Sequence, residues 1–169
     1  MKVMKPGPMR QPSSLSKAGL QIEIQRGEGI GSVPDDEEFE RWVDAARHVV
    51  TKKNAALCIR IADDKEITEL NRKFRHGIGL TNVLSFPCEL SDEAGVCLLG
   101  DIVICASVVR REAEEQHKAV SAHWAHMVLH GILHLLGHDH QNSAESEVME
   151  GMEAELLNQL GFADPYQPV

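Results

Sequence analysis

Apolar and polar residues alternate in residues 21–26 and again in residues 57–62, a pattern typical of strands with one buried face. We predict strands over residues 21–26, 57–62, 82–86 and 100–105, the last of them largely apolar. Pro87 follows the third segment directly. We expect this proline to end the strand, because it has no N–H to donate to a sheet.

Helical spacing of apolar residues replaces the alternation elsewhere. The first predicted helix opens at residues 34–36 (Pro-Asp-Asp), the second follows an Asp-Asp cap at 63–64, and a third, rich in Arg and Glu, spans 106–117. A fourth helix begins near Ser121, is apolar nearly all round and is stopped by Gly137. We therefore expect the fourth helix to lie at the centre of the core.

The last helical segment, residues 144–160, combines a sparse apolar repeat with many carboxylates. Val148, Met152, Leu156 and Leu160 recur at helical spacing. We expect the glutamates between them to form an exposed face, made of Glu145, Glu147, Glu150, Glu153 and Glu155.

Strands mixed with helices predict an α/β (α+β) fold, a three-layer single domain with a small mixed four-stranded sheet flanked by helices. The length of 169 residues suits one domain, which we place at 19–165. Residues 1–18 are rich in Pro, Ser and Lys/Arg without apolar periodicity, so we expect a flexible N-terminal extension there. Residues 166–169 form a short tail.

Composition restricts the partners and the compartment. The net charge of −9 argues against nonspecific nucleic-acid binding over the whole surface, so an RNA partner has to be met by a local basic patch. The four cysteines stand singly, which favours reduced thiols over disulfides or a thiolate zinc site. No apolar run is long enough for a membrane span or a secretory signal, so we expect a cytoplasmic protein without a membrane partner.

The segment HGILHLLGHDH carries the candidate chemistry. His130 and His134 are four residues apart and therefore point the same way from a helix. Gly137 allows a sharp turn that returns His140 to the same point. Three imidazoles leave a fourth position open, as in catalytic zinc sites, so we predict a zinc-dependent hydrolase with its metal on the central helix and the following turn. The alternative is that these are core or surface histidines without a ligand role.

Other polar residues in this region have open roles. His123 and His126 share the helical face of the two ligands, and we expect them to support the ligands or to pack, because three ligands already complete a catalytic site. Asp139 is a candidate for orienting His138 or His140.

The histidine spacing coincides with the zinc motif of the metzincin peptidases, whose general-base glutamate is replaced here by Gly131. This difference argues against peptide cleavage and favours phosphodiester cleavage, which relies on the metal and on a cation to balance phosphoryl charge. We expect Arg75, in a loop after the second helix, to be that cation, because a guanidinium matches phosphate oxygens. The alternative is an arginine that only stabilises a helix end.

Over residues 57–166 the chain resembles the YbeY family of bacterial endoribonucleases. The matching segments are DDKEITELNRKFR, TNVLSFP, LLGDIVIC, HWAHMVLHGILHLLGHDH and GFADPY. The resemblance implies a metal-dependent, single-strand-specific endoribonuclease that acts in 16S rRNA 3′-end maturation and ribosome quality control. It implies ribosomal RNA and the small ribosomal subunit as partners, with ribosome-associated proteins as further candidates and no DNA.

The same resemblance implies metal ligands at His130, His134 and His140, and a functionally important arginine at Arg75. The usual metal of the family is zinc, one ion per chain, with another divalent transition metal such as nickel as the alternative. Two departures affect the surroundings of the site: residues 76–78 are His-Gly-Ile where the family commonly has Gly-Lys-Asp, and His138 stands where the family often has Tyr or Phe. We interpret His138 as an aromatic substitute rather than a spare ligand.

Two other functions remain open on the sequence. One is a metzincin-like metallohydrolase acting on another substrate, against which Gly131 argues. The other is a ribosome-associated assembly factor whose zinc is structural. The sequence distinguishes an enzyme from an assembly factor less clearly than it distinguishes a nuclease from a peptidase, because a basic surface is sufficient for ribosome binding.

Overall fold

A computed structural model describes residues 19–168, apart from the side chain of Glu89. The predicted extension 1–18 and the last residue of the predicted tail lie outside the described residues. In chain order the elements are β1 (Leu20–Arg26), α1 (Asp36–Ala45), a 3₁₀ turn (Arg47–Val49), β2 (Ala55–Ala62), α2 (Asp64–Arg75), β3 (Val83–Ser91), β4 (Cys97–Cys105), α3 (Ala106–Glu115), α4 (Val120–Leu135) and α5 (Ser143–Gln159).

The described strands form one mixed sheet in the order β1-β2-β4-β3. β1, β2 and β4 are parallel, and β3 is antiparallel to β4. The parallel pairs follow from the intervening helices, which supply the crossover that parallel strands need, whereas β3 and β4 are joined by a short connection. The predicted small mixed four-stranded sheet is therefore confirmed.

Helices cover both faces of the sheet. On β4, Ile102 and Ile104 belong to a large core shared with α1, α4 and α5, whereas Val103 and Cys105 belong to a smaller core shared with α2. Neighbouring strand residues point to opposite faces, so one strand contributes to both cores. The result is the predicted three-layer arrangement with the sheet as its middle layer, and α4 lies inside the larger core, as its apolar circumference indicated.

The prediction that Pro87 ends the third strand is wrong, because β3 continues to Ser91. β3 lies at the edge of the sheet, where a missing N–H costs no ladder hydrogen bond on the open side. The pairing with β4 also shifts register between Pro87 and Leu90. An irregular edge strand therefore accommodates the proline.

Helix starts agree with the capping residues in the sequence. The Asp35 side chain accepts from the N–H of Glu38 at the start of α1, and Asp63 does the same for Glu66 at the start of α2. The four cysteines are all free thiols. Between residues 19 and 168, no helix combines the length and the hydropathy required to cross a bilayer.

Candidate metal centre

The centre of the site is a pair of imidazoles on α4. His130 and His134 are half-buried and one helical turn apart, and their Nε2 atoms lie 3.1 Å from each other. The two ring centroids are 4.6 Å apart. The predicted common direction of these side chains is therefore present in the fold.

The turn after α4 supplies a third imidazole. Gly137 has a φ of +95°, which favours glycine, and the N–H of His138 donates to the carbonyl of Leu133 at 3.0 Å. This reversal brings the ring of His140 to 5.1 Å from His134 and 5.8 Å from His130, measured between centroids. One nitrogen from each of the three rings lies within 4.8 Å of the others.

This arrangement fits a transition-metal ion. Two nitrogens bound to a tetrahedral zinc ion at about 2.05 Å lie about 3.3 Å apart, close to the separation of the His130 and His134 nitrogens. Burial, and then the charges of His130 and His140, lower the pKa of His134 and so favour its neutral, metal-binding form. Imidazole donors suit zinc, nickel and similar ions rather than calcium or magnesium.

A buried carboxylate lies behind the first of these imidazoles. Glu153 on α5 is fully buried, so the prediction that it belongs to an exposed acidic face is wrong. Its Oε1 atom is 2.5 Å from Nδ1 of His130 and its Oε2 atom is 2.8 Å from Nε2 of His126. The Tyr166 hydroxyl also donates to Oε2. Burial alone would raise the pKa of Glu153, but the hydrogen bonds from His126 and His130 outweigh it and lower the pKa to about 2.

The apolar repeat predicted for α5, which begins at Val148, does not match the buried face of the helix. The sequence nevertheless contains the residues that locate Glu153. The buried residues of α5 include Met149, Leu156 and Leu157, while Val148 is exposed. Glu153 is four residues after Met149 and three before Leu156, so it lies in the middle of the apolar stripe. A carboxylate in that position needs a buried partner.

The two earlier histidines of α4 lie outside the group of three. His123 is buried, and its Nε2 donates to Oε2 of Glu112 at 2.9 Å. Burial is the main cause of its lowered pKa. His126 donates to Glu153 as described above. Among the described residues, the Nδ1 atoms of His123 and His126 have no hydrogen-bond partner.

Arg75 is the last residue of α2 rather than a loop residue as we expected. Its Nη2 donates to the carbonyl oxygen of Ser85 on β3, and its guanidinium lies 5.6 Å from the centre of the Phe86 ring. The Ser85 hydroxyl in turn donates to the carbonyl of Gly131 at 3.3 Å. β3 therefore connects the arginine to the helix that carries the histidines.

Arg75 and His134 line the same cleft. Its volume is about 220 Å³, and its walls are Arg75, Ser85, Pro87, His134, Gly137, His138 and Asp139. His138 thus faces the cleft but is outside the group of three. The Asp139 carboxylate accepts from the N–H of His140 at 2.7 Å and lies 3.9 Å from Nδ1 of that ring.

Gly131, the position of the metzincin glutamate, faces the sheet. A Cβ atom there would lie 2.7 Å from Cγ2 of Ile102, a fully buried residue of β4. A side chain at this position would collide with the core rather than reach the cleft. The packing of α4 on the sheet therefore excludes a general base at the residue after His130.

Comparison with known proteins identifies relatives over most of the chain. A family model described as Endoribonuclease YbeY matches residues 23–161. The protein named Endoribonuclease YbeY from Nitrosococcus oceani is 48% identical over 152 residues, 89% of this chain and 99% of the relative. The protein of the same name from Pseudomonas entomophila is 49% identical over 148 residues, 87% of this chain and 93% of the relative.

A solved structure supports the fold independently. The solution structure of a Thermotoga maritima protein superimposes with a TM-score of 0.54, covering 88% of this chain and 99% of that one. Its sequence identity to this chain is 24%, so the likeness supports the architecture alone.

Proposed function

The chain belongs to the endoribonuclease YbeY family, and from this membership we propose that it is a zinc-dependent, single-strand-specific endoribonuclease. Its proposed substrate is ribosomal RNA, in the maturation of the 16S rRNA 3′ end and in ribosome quality control, with the small ribosomal subunit as its partner in the cytoplasm. Another divalent transition metal, such as nickel, is the alternative to zinc.

The observation that carries the proposal is the shared cleft of Arg75 and His134, next to the three imidazoles. In the proposal His130, His134 and His140 would hold the ion beside the cleft, and three protein ligands would keep one coordination position for water or substrate. The bound metal supplies Lewis-acid activation of water at neutral pH. The three histidines come from one helix and the turn that follows it, so one short segment of the chain supplies all three rings.

Arg75 is proposed to bind the phosphate group that is cleaved. A guanidinium presents several N–H donors in one plane and stabilises negative charge as it develops on phosphoryl oxygens. One N–H of Arg75 is used on the Ser85 carbonyl, which fixes the direction of the side chain and leaves other donors for substrate. The exposed position of Arg75 leaves it accessible to RNA.

Removal of the metal tests the proposal and separates it from an assembly factor with a structural zinc. A 5′-labelled single-stranded RNA and its duplex are incubated with native, chelator-stripped and zinc-reconstituted protein, and each preparation is also sedimented with small ribosomal subunits. We expect cleavage of the single strand only, its loss on stripping and its return with one equivalent of zinc. Subunit binding is expected to persist in the stripped protein.

Two results would contradict the proposal. Unchanged cleavage by fully stripped protein would remove the metal from the reaction. Subunit binding that depends on zinc, without cleavage under any condition, would instead identify a binding factor with a structural zinc.

A further inference from the structure

Glu153 is a fully buried carboxylate that receives three hydrogen bonds from two parts of the chain. His126 and His130 of α4 donate through ring nitrogens, and Tyr166 donates from the segment that follows α5. A carboxylate without such partners is expensive to remove from water, so these donors account for its presence in the core. Their distribution between its two oxygens suggests a further role.

Within residues 19–168, the Oε1 atom of Glu153 has the ring of His130 as its only hydrogen-bond partner. The carboxylate accepts, so the proton of His130 must lie on Nδ1, at 2.5 Å from Oε1. In the neutral imidazole the other ring nitrogen, Nε2, then carries a free lone pair. This is the atom that lies 3.1 Å from Nε2 of His134. The contact therefore selects the tautomer and the ring direction that the metal site needs.

The other oxygen holds the carboxylate itself in place. Oε2 accepts from His126 at 2.8 Å and from the Tyr166 hydroxyl. Tyr166 is 43% exposed, yet its hydroxyl reaches a fully buried group. The segment after α5 is thereby connected, through two hydrogen bonds, to a side chain of the metal site.

We propose that Glu153 is a positioning residue that fixes His130 for metal binding and is itself held by His126 and Tyr166. This inference rests on the proposed metal site at His130, His134 and His140. His126, His130 and Glu153 also lie close enough to form an ion site of their own. An ion there would have to displace the two imidazole protons that His126 and His130 donate to Glu153, so we assign the group to positioning.

Glu153→Gln tests the inference, because glutamine keeps the shape of the side chain and removes its charge. Glu155→Gln, the same change at an exposed position of α5, is the matched control. Zinc affinity is measured by competition with a chromogenic chelator, and the thermal midpoint is measured on metal-free protein. We expect zinc binding to weaken about 10- to 100-fold in Glu153→Gln, less in Tyr166→Phe, and not in the control.

Nitrogen NMR of the histidine rings reports the tautomer of His130, which would not change if Glu153 had a purely structural role. In metal-free wild-type protein we expect His130 to carry its proton on Nδ1, and in Glu153→Gln we expect a mixture of tautomers. A His130 protonated on Nε2 in the wild type would overturn the inference. So would a Glu153→Gln variant that binds zinc normally and loses only thermal stability.

Neither readout depends on RNA. Wild-type protein that binds zinc in a Glu153-dependent way but cleaves no RNA would refute the proposed function and support the positioning role. Zinc-dependent cleavage, combined with a zinc affinity that does not depend on Glu153, would support the proposed function and refute the positioning role.

Discussion

The histidine face of α4 has two halves with the same spacing and different surroundings. His123 and His126, in the N-terminal half, are buried and donate to the carboxylates of Glu112 and Glu153. His130 and His134, in the C-terminal half, are half-buried and face each other and the ring of His140. Helical periodicity sets the common direction of all four side chains but not their roles.

Neighbouring elements make the difference between the two halves. α3 and α5 each place a carboxylate against the N-terminal half, so its N–H groups are used in hydrogen bonds. The turn at Gly137 brings an imidazole to the C-terminal half instead, and the cleft opens there. His130 lies at the boundary, with Nδ1 on a carboxylate and Nε2 in the candidate metal site. The role of each histidine on this face of α4 is thus determined by the element that packs against it.

The largest expected effect is that of His134→Ala in the C-terminal half. Loss of one of three ligands should weaken zinc binding by at least about 100-fold, since even partners that only support a ligand contribute 10- to 100-fold. RNA cleavage should be lost with the metal. The metal-free variant should keep most of its thermal stability, because α4 is held by apolar residues.

His138→Phe is the control for that variant, because it removes an imidazole from the same cleft. We expect the zinc affinity of this variant to match that of the wild type, because we interpret His138 as an aromatic residue that is not a ligand. If His138→Phe lost zinc as His134→Ala does, His138 would be a ligand and the group of three would be incomplete. Chelator competition on both variants measures this.

The next effect concerns the cleft, which borders only the C-terminal half. Arg75→Lys keeps the charge but loses the planar donor group, so we expect cleavage to slow by about 2 kcal/mol, roughly 30-fold, with normal zinc content. Arg75→Ala should be slower still. The control is Arg72→Ala, an exposed arginine of α2 outside the cleft, whose effect should be much smaller.

Arg75 has a competing interpretation, in which it only stabilises the C-terminal end of α2. In that case both Arg75 variants would cleave RNA at nearly the wild-type rate, and only Arg75→Ala, which removes the charge, would lose about 0.5 kcal/mol of stability. Single-turnover cleavage rates and thermal midpoints on the same preparations distinguish the two interpretations.

The smallest expected effect is that of His123→Gln in the N-terminal half. Glutamine retains a donor for Glu112 but packs differently from imidazole, so we expect a loss of about 1 kcal/mol in unfolding free energy. Zinc affinity and cleavage should be unchanged. A fall in zinc affinity comparable to that of His134→Ala would show that the two halves act as one site.

The sequence predicted most of the fold because its signals there are local. Alternation marked β1 and β2, a short apolar run marked β4, and the aspartates at 35 and 63 marked helix starts. Pro87 was misinterpreted because local chemistry does not reveal that β3 is an edge strand. The resemblance to the YbeY family, carried by several segments, is confirmed by the family model and by the relatives.

Within the site, the sequence was informative where spacing alone brings residues together. The separation of His130, His134 and His140 by one helical turn and one glycine turn is such a case. Glu153 and Ser85 come from other elements, so their contacts depend on how α5 and β3 pack around α4. The ligand role of the three histidines and the substrate role of Arg75 stay predictions.

The central claim, that the C-terminal half and the turn form the metal site, is tested most directly by anomalous diffraction at the zinc edge from crystals of native protein. We predict one strong anomalous peak per chain, bonded to His130, His134 and His140, with its open side toward Arg75. A peak between His126, His130 and Glu153, or fully loaded protein without a peak at the three imidazoles, would contradict the account.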